Sequence, residues 1–203
     1  LNPESLEAYL RLSWIYTQQQ QFDAAKRLLK KVIQLSSDLT LAYHGLAEVH
    51  LAEGDAAQAL ATYERIVELG DRGPEILMML GQLRFENGQI NQALTAFQEA
   101  VKLHQTDPRP YRHIAQIYVQ ANRYLDTALK YAEQAVKLNP GAAEMSTLAS
   151  VYFSQKQLQM AESSIQQALV HEPNNPEYLQ QLYEIQQVKA SGQGGLQQDN
   201  PTE

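Results

Sequence analysis

The amino-acid sequence predicts an all-α fold in which antiparallel helix pairs stack into an α-solenoid. Three observations support this: alanines recur at a nearly constant spacing, apolar residues within each unit follow a helical period, and polar breaks divide each unit in two. The recurring alanines lie 34, 34, 35 and 33 residues apart, at Ala25, Ala59, Ala93, Ala128 and Ala161. A fixed period of this length is typical of repeat proteins, so we interpret the chain as an array.

The apolar residues of each unit recur at the spacing of one helix face. In the first unit Tyr9, Leu12 and Tyr16 lie at i, i+3 and i+7, and Phe22 and Leu29 belong to the same pattern in the next segment. No segment shows the period of two that marks a half-buried strand. Each unit is therefore predicted to consist of two helices.

A second series of small residues precedes the alanines by 12 or 13 positions, at Ser13, Ala47, Gly81, Ala115 and Ala149. Two helices can approach closely only where the facing side chains are small, and larger neighbours then fill the space around the crossing. The two series together predict one close helix crossing in each unit.

The polar breaks predict where the helices turn. Gly54 and Gly88 suit the left-handed residue that ends a helix, and Asn122 can take that role in the fourth unit. Asp55 is predicted to cap the helix that follows Gly54. One extra residue within 124–127 is expected to alter the fourth turn locally without changing the fold.

The repeated pattern resembles the tetratricopeptide repeat (TPR). The third unit carries Leu80-Gly81, Gly88, Ala93, Phe97 and Ala100, and the fourth adds Tyr118, Ala135 and Pro140. The resemblance implies a right-handed superhelix of five repeats and a C-terminal capping helix. The repeats are placed at 6–39, 40–73, 74–107, 108–141 and 142–175.

The two ends of the chain depart from whole repeats. Residues 1–5 match the end of a repeat, because Leu1-Asn2-Pro3 corresponds in register to Leu138-Asn139-Pro140. We therefore interpret residue 1 as lying inside a longer array. Residues 176–189 are predicted to form the capping helix, with a polar outer face, and 190–203 have the composition of a disordered tail.

Composition narrows the classes of partner. A formal net charge of −7 argues against a general binder of nucleic acid. No run of 18 apolar residues exists, so no membrane insertion of this segment is expected. The absence of cysteine excludes disulfides and thiolate metal sites and leaves the compartment open between cytoplasm and periplasm.

Catalytic signatures are missing from the sequence. The five histidines form no metal-binding motif, and no phosphate-binding loop or nucleophile elbow occurs. The basic cluster formed by Lys26, Arg27, Lys30 and Lys31 is interpreted as a solvated helix face. The segment is predicted to have no enzymatic activity, no cofactor and no metal.

The resemblance implies that the first helix of each repeat lines a concave groove. The positions beside the core stripe are then the partner-binding residues: Leu10, Trp14, His44, Glu48, Met78, Gln82, Phe85, Arg109, Arg112, Gln116 and Phe153. The family's clamp for a C-terminal carboxylate is not supported, because Leu10 and Trp14 occupy the positions of its Lys and Asn. For Trp14 a second interpretation stays open, in which the indole packs against a preceding repeat or a neighbouring side chain.

These residues predict an interaction scaffold that binds a peptide or helix of a partner protein. Apolar groups in the first three repeats and Arg109 and Arg112 in the fourth favour a partner segment with apolar and acidic character. Three alternatives remain. The segment is a regulatory or positioning arm of a larger enzyme or secretion machine, a self-assembly module, or, least favoured, an enzyme. A homodimer through the N-terminal end is expected if the Tyr9–Trp14 face lacks its neighbour.

Overall fold

A computed structural model describes the backbone of residues 5–194 and the side chains of residues 5–191. This part of the chain contains eleven α-helices and no strand, which confirms the all-α prediction. The helices belong to two compact units, the first ending at Leu103 and the second beginning at His104. Across the described residues, no helix combines the length and the apolar character that crossing a membrane would require.

The first unit holds six helices. They are α1 (Leu6–Gln18), α2 (Phe22–Leu35), α3 (Thr40–Glu53), α4 (Ala56–Glu68), α5 (Pro74–Glu86) and α6 (Ile90–Leu103). Each odd-numbered helix packs on the helix that follows it, while α2 packs on α3, α4 on α5 and α1 on α3. The core therefore continues from one helix pair to the next, as in an α-solenoid.

The second unit holds five helices. They are α7 (Pro108–Gln120), α8 (Leu125–Leu138), α9 (Ala142–Ser154), α10 (Leu158–His171) and α11 (Pro176–Gly194). Here α9 packs on α7, α8 and α10, and α11 covers α10. The helices of both units fall two by two within the predicted repeats, whose boundaries stay a prediction.

The two series of small residues lie in the core. All five repeating alanines are fully buried, and their partners are buried as well, from Ser13 at 3% exposure to Ala149 at 0%. Gly81 marks a close crossing, because a Cβ at this position would lie 2.7 Å from Cε1 of Phe97 on α6. The sequence pattern therefore identified positions where helix backbones approach each other.

The turns follow the sequence signals in part. Gly54, Gly88 and Asn122 adopt the predicted left-handed conformation, with φ values of 82°, 75° and 47°. The carboxylate of Asp55 accepts a hydrogen bond of 3.0 Å from the backbone N–H of Gln58, as expected of a cap.

Tyr124, within the predicted insertion, also has a positive φ of 54°, which is unusual for a bulky residue.

The C-terminal helix is longer than the sequence predicts. Helix α11 continues to Gly194, whereas the disordered tail was predicted to begin at residue 190. A helix that has already started adds residues at low cost, and the extension begins with Ala190, the residue type of highest helix propensity. Ser5 caps α1 through a 3.0 Å hydrogen bond from the N–H of Ala8. The rest of the predicted tail and residues 1–4 lie outside the described residues.

Candidate functional site

A cavity of about 620 Å³ opens in the first unit between α1 and α3. It brings together four of the predicted groove residues, Leu10 and Trp14 on α1 with His44 and Glu48 on α3. Each pair is separated by four positions, so the two side chains lie one helical turn apart on the same face. Two neighbouring first helices of repeats therefore form the two walls of one site.

Apolar side chains make up most of the cavity wall. Trp14 is 59% exposed, which is a large apolar surface to leave in contact with water. Ile15 and Leu41 add further exposed apolar surface at the same cavity. Trp14 directly follows the buried Ser13, so it lies about 100° around the helix from the core-facing direction. The indole is therefore presented to the cavity and not to the core.

The floor of the cavity depends on a glycine in the middle of α3. Gly45 lines the cavity together with Leu29 of α2. A Cβ at residue 45 would come within 2.9 Å of Cδ2 of Leu29, so only a glycine lets this leucine reach the cavity without displacement. Sequence reasoning missed Ile15 and Leu29 as site residues. The signal for Leu29 was Gly45 itself, since a mid-helix glycine costs about 1 kcal/mol and invites a structural explanation.

Three of the charged or titratable side chains at the cavity already have partners. Glu7 and Arg11 form an ion pair of 2.6 Å on the surface of α1. His44 Nε2 lies 3.0 Å from Oδ2 of Asp71, in the loop before α5. This hydrogen bond, together with one from the backbone N–H of Gly73, lowers the pKa of Asp71 below its ordinary value. The histidine is therefore held in place at the cavity wall.

Glu48 differs from these groups. Its side chain is exposed at the cavity, and among residues 5–194 its carboxylate has neither a hydrogen-bond nor an ion-pair partner. A carboxylate in this state remains solvated and is available to a ligand.

The predicted groove residues of α5 are not part of this cavity. Met78 is only 6% exposed, so it is an interior side chain and is not open to a ligand in this structure. It precedes the buried Gly81 by three positions and therefore shares its core-facing side. Gln82 is exposed and donates a hydrogen bond of 3.1 Å to Glu86 on its own helix, and Phe85 is half-buried.

The predicted groove residues of α7 are occupied by contacts within the second unit. The guanidinium of Arg109 donates to the buried carboxylate of Asp107, with Nη2–Oδ2 at 2.7 Å. Burial raises the pKa of Asp107, but the hydrogen bonds from Arg109 outweigh it and the net pKa is lowered. Arg112 is largely buried with its Nε 4.0 Å from Glu144, and Gln116 donates to Thr147 at 3.3 Å.

Nearby His113 adds no positive charge to α7 at neutral pH. Its burial and the adjacent Arg112 lower its pKa from the ordinary 6.5 to about 4. The basic character that the sequence suggested for this helix is thus largely neutralised within the fold.

Phe153 lies at a separate cavity in the second unit. This cavity of about 600 Å³ is formed with Leu158 of α10 and Val188 of α11, and Phe153 is half-buried against the core of its unit. On the neighbouring part of α9, the hydroxyl groups of Ser146 and Ser150 are already hydrogen-bonded to Gln181 of α11. The structure therefore groups the predicted residues at separate places, of which the α1–α3 cavity holds four. Nowhere in the described part of the chain do three His, Asp or Glu side chains gather in a way that could hold a metal ion.

Comparison with known sequences identifies relatives along most of the chain. A family model described as "Tetratricopeptide repeat" matches residues 16–83, one described as "TPR repeat" matches 81–122, and a second "Tetratricopeptide repeat" model matches 113–178. Hsp70-Hsp90 organizing protein 2 of Arabidopsis thaliana is 30% identical over 114 residues, 55% of this chain. A BBSome complex member BBS4 homolog of Drosophila melanogaster is 24% identical over 176 residues, 81% of this chain. The matched segments span only 20% and 36% of these relatives.

Solved structures share the fold at low sequence identity. YrrB, described as a TPR protein with an unusual peptide-binding site, superposes with a TM-score of 0.74 at 20% identity, over 88% of this chain and 92% of its own. MamA superposes with the same TM-score and identity, over 85% of this chain and 94% of its own. With the repeated small residues and paired helices, these matches lead to one conclusion: the chain belongs to the tetratricopeptide repeat family.

Proposed function

We propose that this array is a non-catalytic scaffold whose α1–α3 cavity binds a peptide or helix segment of a partner protein. Tetratricopeptide repeats serve protein–protein interaction, and the chain is a scaffold of that class. The observation that carries the finer proposal is the exposed indole of Trp14 in a cavity of about 620 Å³, opposite His44 and Glu48.

The size and lining of the cavity suit a side-chain anchor. Ligand sites in proteins are commonly concave and mostly apolar, with volumes of about 300–1,000 Å³. Trp is among the residues that most often dominate binding energy at interfaces, because it buries a large surface at low entropic cost. A partner side chain that enters this cavity would cover Trp14, Leu41 and Ile15, which are otherwise in contact with water.

The relatives support an interaction role by their names and descriptions. One is an organizing protein for Hsp70 and Hsp90, one is a member of the BBSome complex, and YrrB is described with a peptide-binding site. If the chain is attached to a catalytic or secretion domain, the same cavity would serve as its positioning arm. The partner is therefore described by its chemistry, as a segment whose side chain fits an apolar cavity.

The test uses peptides selected from a random 12-residue phage library against the whole chain. A fluorescently labelled selected peptide should bind Trp14→Ala about tenfold to thirtyfold more weakly than wild type, as expected of a hot spot of about 1.4–2 kcal/mol. The control is Leu103→Ala, which truncates an equally exposed apolar side chain outside the cavity. Trp14 is the only tryptophan, so its emission should be red-shifted in the free protein and change on binding.

Two results would contradict the proposal. One is equal affinity of the selected peptides for wild type and Trp14→Ala. The other is a mass in analytical ultracentrifugation that rises with protein concentration and returns to that of a monomer in Trp14→Ala, since the exposed face of α1 would then bind a second copy.

A further inference from the structure

We infer that the α1–α3 cavity selects a partner segment in which an apolar anchor is flanked by a lysine or arginine, and that Glu48 receives the cation. This inference rests on the proposed function and specifies the chemistry of the partner at the same site.

The cavity carries one negative charge that no neighbouring cation within the described residues compensates. Glu7 is compensated by Arg11 at 2.6 Å, and His44 is hydrogen-bonded to Asp71. Glu48 is left as the carboxylate at the cavity without a partner among residues 5–194. A cation brought by the partner would meet a complementary charge at Glu48, whereas a carboxylate would meet a like charge there.

The apolar wall favours the same kind of residue. Lysine and arginine carry an aliphatic stem that packs along apolar surfaces while the charged head stays at the rim. The face of an indole also attracts cations, and Trp14 is exposed enough to offer one. A partner lysine or arginine can therefore cover Trp14 with its stem and reach Glu48 with its head.

The opposite preference, for an acidic partner, has less support within the fold. It was expected from Arg109 and Arg112, but Asp107 holds the first guanidinium and the second lies largely buried beside Glu144. His113 is neutral at physiological pH. The groups that would attract an acidic segment are thus hydrogen-bonded, largely buried or uncharged, while Glu48 at the α1–α3 cavity is exposed.

The test compares peptide selection by wild type and by Glu48→Gln from the same random 12-residue library. Wild type should enrich peptides with Lys or Arg beside an apolar residue, and Glu48→Gln should lose this enrichment. Glu48→Gln should also bind a selected peptide about threefold to tenfold more weakly, with a smaller dependence on salt. Glu86→Gln removes an exposed carboxylate on α5, outside the cavity, and should behave as wild type.

The outcomes separate the inference from the proposed function. Enrichment of acidic peptides, enrichment without charge preference, or an unchanged basic preference in Glu48→Gln would overturn the inference. In each case the proposed function stands if binding still depends on Trp14. A library that yields no binder dependent on Trp14 overturns both.

Discussion

At the scale of single residues, Gly81 shows how tightly the helix crossings are packed. The ring of Phe97 occupies the space that a side chain at residue 81 would need, with three ring atoms within 2.9 Å of the Cβ position. Phe97 is itself fully buried, so its ring has no free volume to move into. The glycine is therefore required by the neighbouring helix and not by its own backbone.

We expect Gly81→Ala to lower the free energy of unfolding by about 1 kcal/mol. Overpacking destabilises the fold by about 1–3 kcal/mol, and the better helix propensity of alanine offsets up to about 1 kcal/mol of this loss. Urea denaturation followed by circular dichroism measures the change. The matched control is Gly45→Ala, where a Cβ would meet one terminal methyl group of Leu29 at 2.9 Å and not three ring atoms. A Gly81→Ala protein as stable as Gly45→Ala, or more so, would refute the packing argument.

The candidate site was only partly predictable at this scale. Helical arithmetic placed Trp14 off the core stripe, and the structure shows its indole exposed at the cavity. The same reasoning misjudged Met78, because burial depends on neighbouring helices that a single helix face does not reveal. Ion pairs such as Arg109 with Asp107 also escaped prediction, since they depend on side-chain conformation as well as sequence spacing.

At the scale of helices, one amide side chain supplies hydrogen bonds between α9 and α11. Gln181 accepts from Ser146 Oγ at 2.8 Å and donates to Ser150 Oγ at 2.8 Å and to the backbone carbonyl of Ser146 at 3.1 Å. Helix α11 also places Tyr178 and Ile185 in the core of its unit. The amide therefore adds a polar contact to the apolar packing that holds α11.

We predict that Gln181→Ala lowers the free energy of unfolding by about 1–3 kcal/mol and speeds amide hydrogen exchange in α11. The loss leaves the part-buried hydroxyl of Ser146 without its acceptor and removes a donor from Ser150. Hydrogen exchange measured by mass spectrometry resolves α11 from the other helices. Gln180→Ala is the neighbouring control, because Gln180 is exposed and bonds only to Glu184 on its own helix. Equal exchange in the two variants would show that the network does not hold α11.

Element-level prediction succeeded where a residue has an unambiguous local role. The glycines at 54 and 88 and the cap at Asp55 are such cases. Gln20 and Lys156 also end helices with positive φ, of 58° and 61°, although neither residue type favours that conformation. In both turns the next N–H reaches back to a helix carbonyl, from Gln21 to Tyr16 at 2.8 Å and from Gln157 to Tyr152 at 2.9 Å. These backbone hydrogen bonds accompany the positive φ and leave little trace in the local sequence. The continuation of α11 past residue 189 escaped prediction because composition alone does not set the length of a helix.

At the scale of the whole molecule, the chain consists of two units that each possess a core. A cluster from Ala115 to Ile185 lies entirely within the second unit, and smaller clusters between Leu10 and Leu83 lie within the first. The 34-residue period predicted the helix pairs, since every pair repeats the same crossing. It did not predict the division at Leu103, because the repeating alanines continue across it at nearly the same spacing, 35 residues from Ala93 to Ala128.

We expect residues 104–203 to fold without the first unit. The isolated segment should give a helical circular dichroism spectrum and a cooperative thermal transition, because its cluster is complete and repeat arrays are stabilised by neighbouring contacts. Ala149→Asp buries an unpaired charge at a fully buried position and should abolish the transition. A wild-type segment as unstructured as this variant would show that the second unit depends on the first.

The buried small residues at fixed intervals also have a consequence for protein engineering. Since the crossings of α1–α2, α3–α4 and α5–α6 use the same kinds of residues at the same register, one pair can follow another in either order. Inserting a second copy of residues 40–73 between the first and second helix pairs would add one helix pair, whose contacts with its neighbours would be of the kind already present. Internal duplication of this kind offers a simple route by which such a chain grows and acquires additional binding cavities.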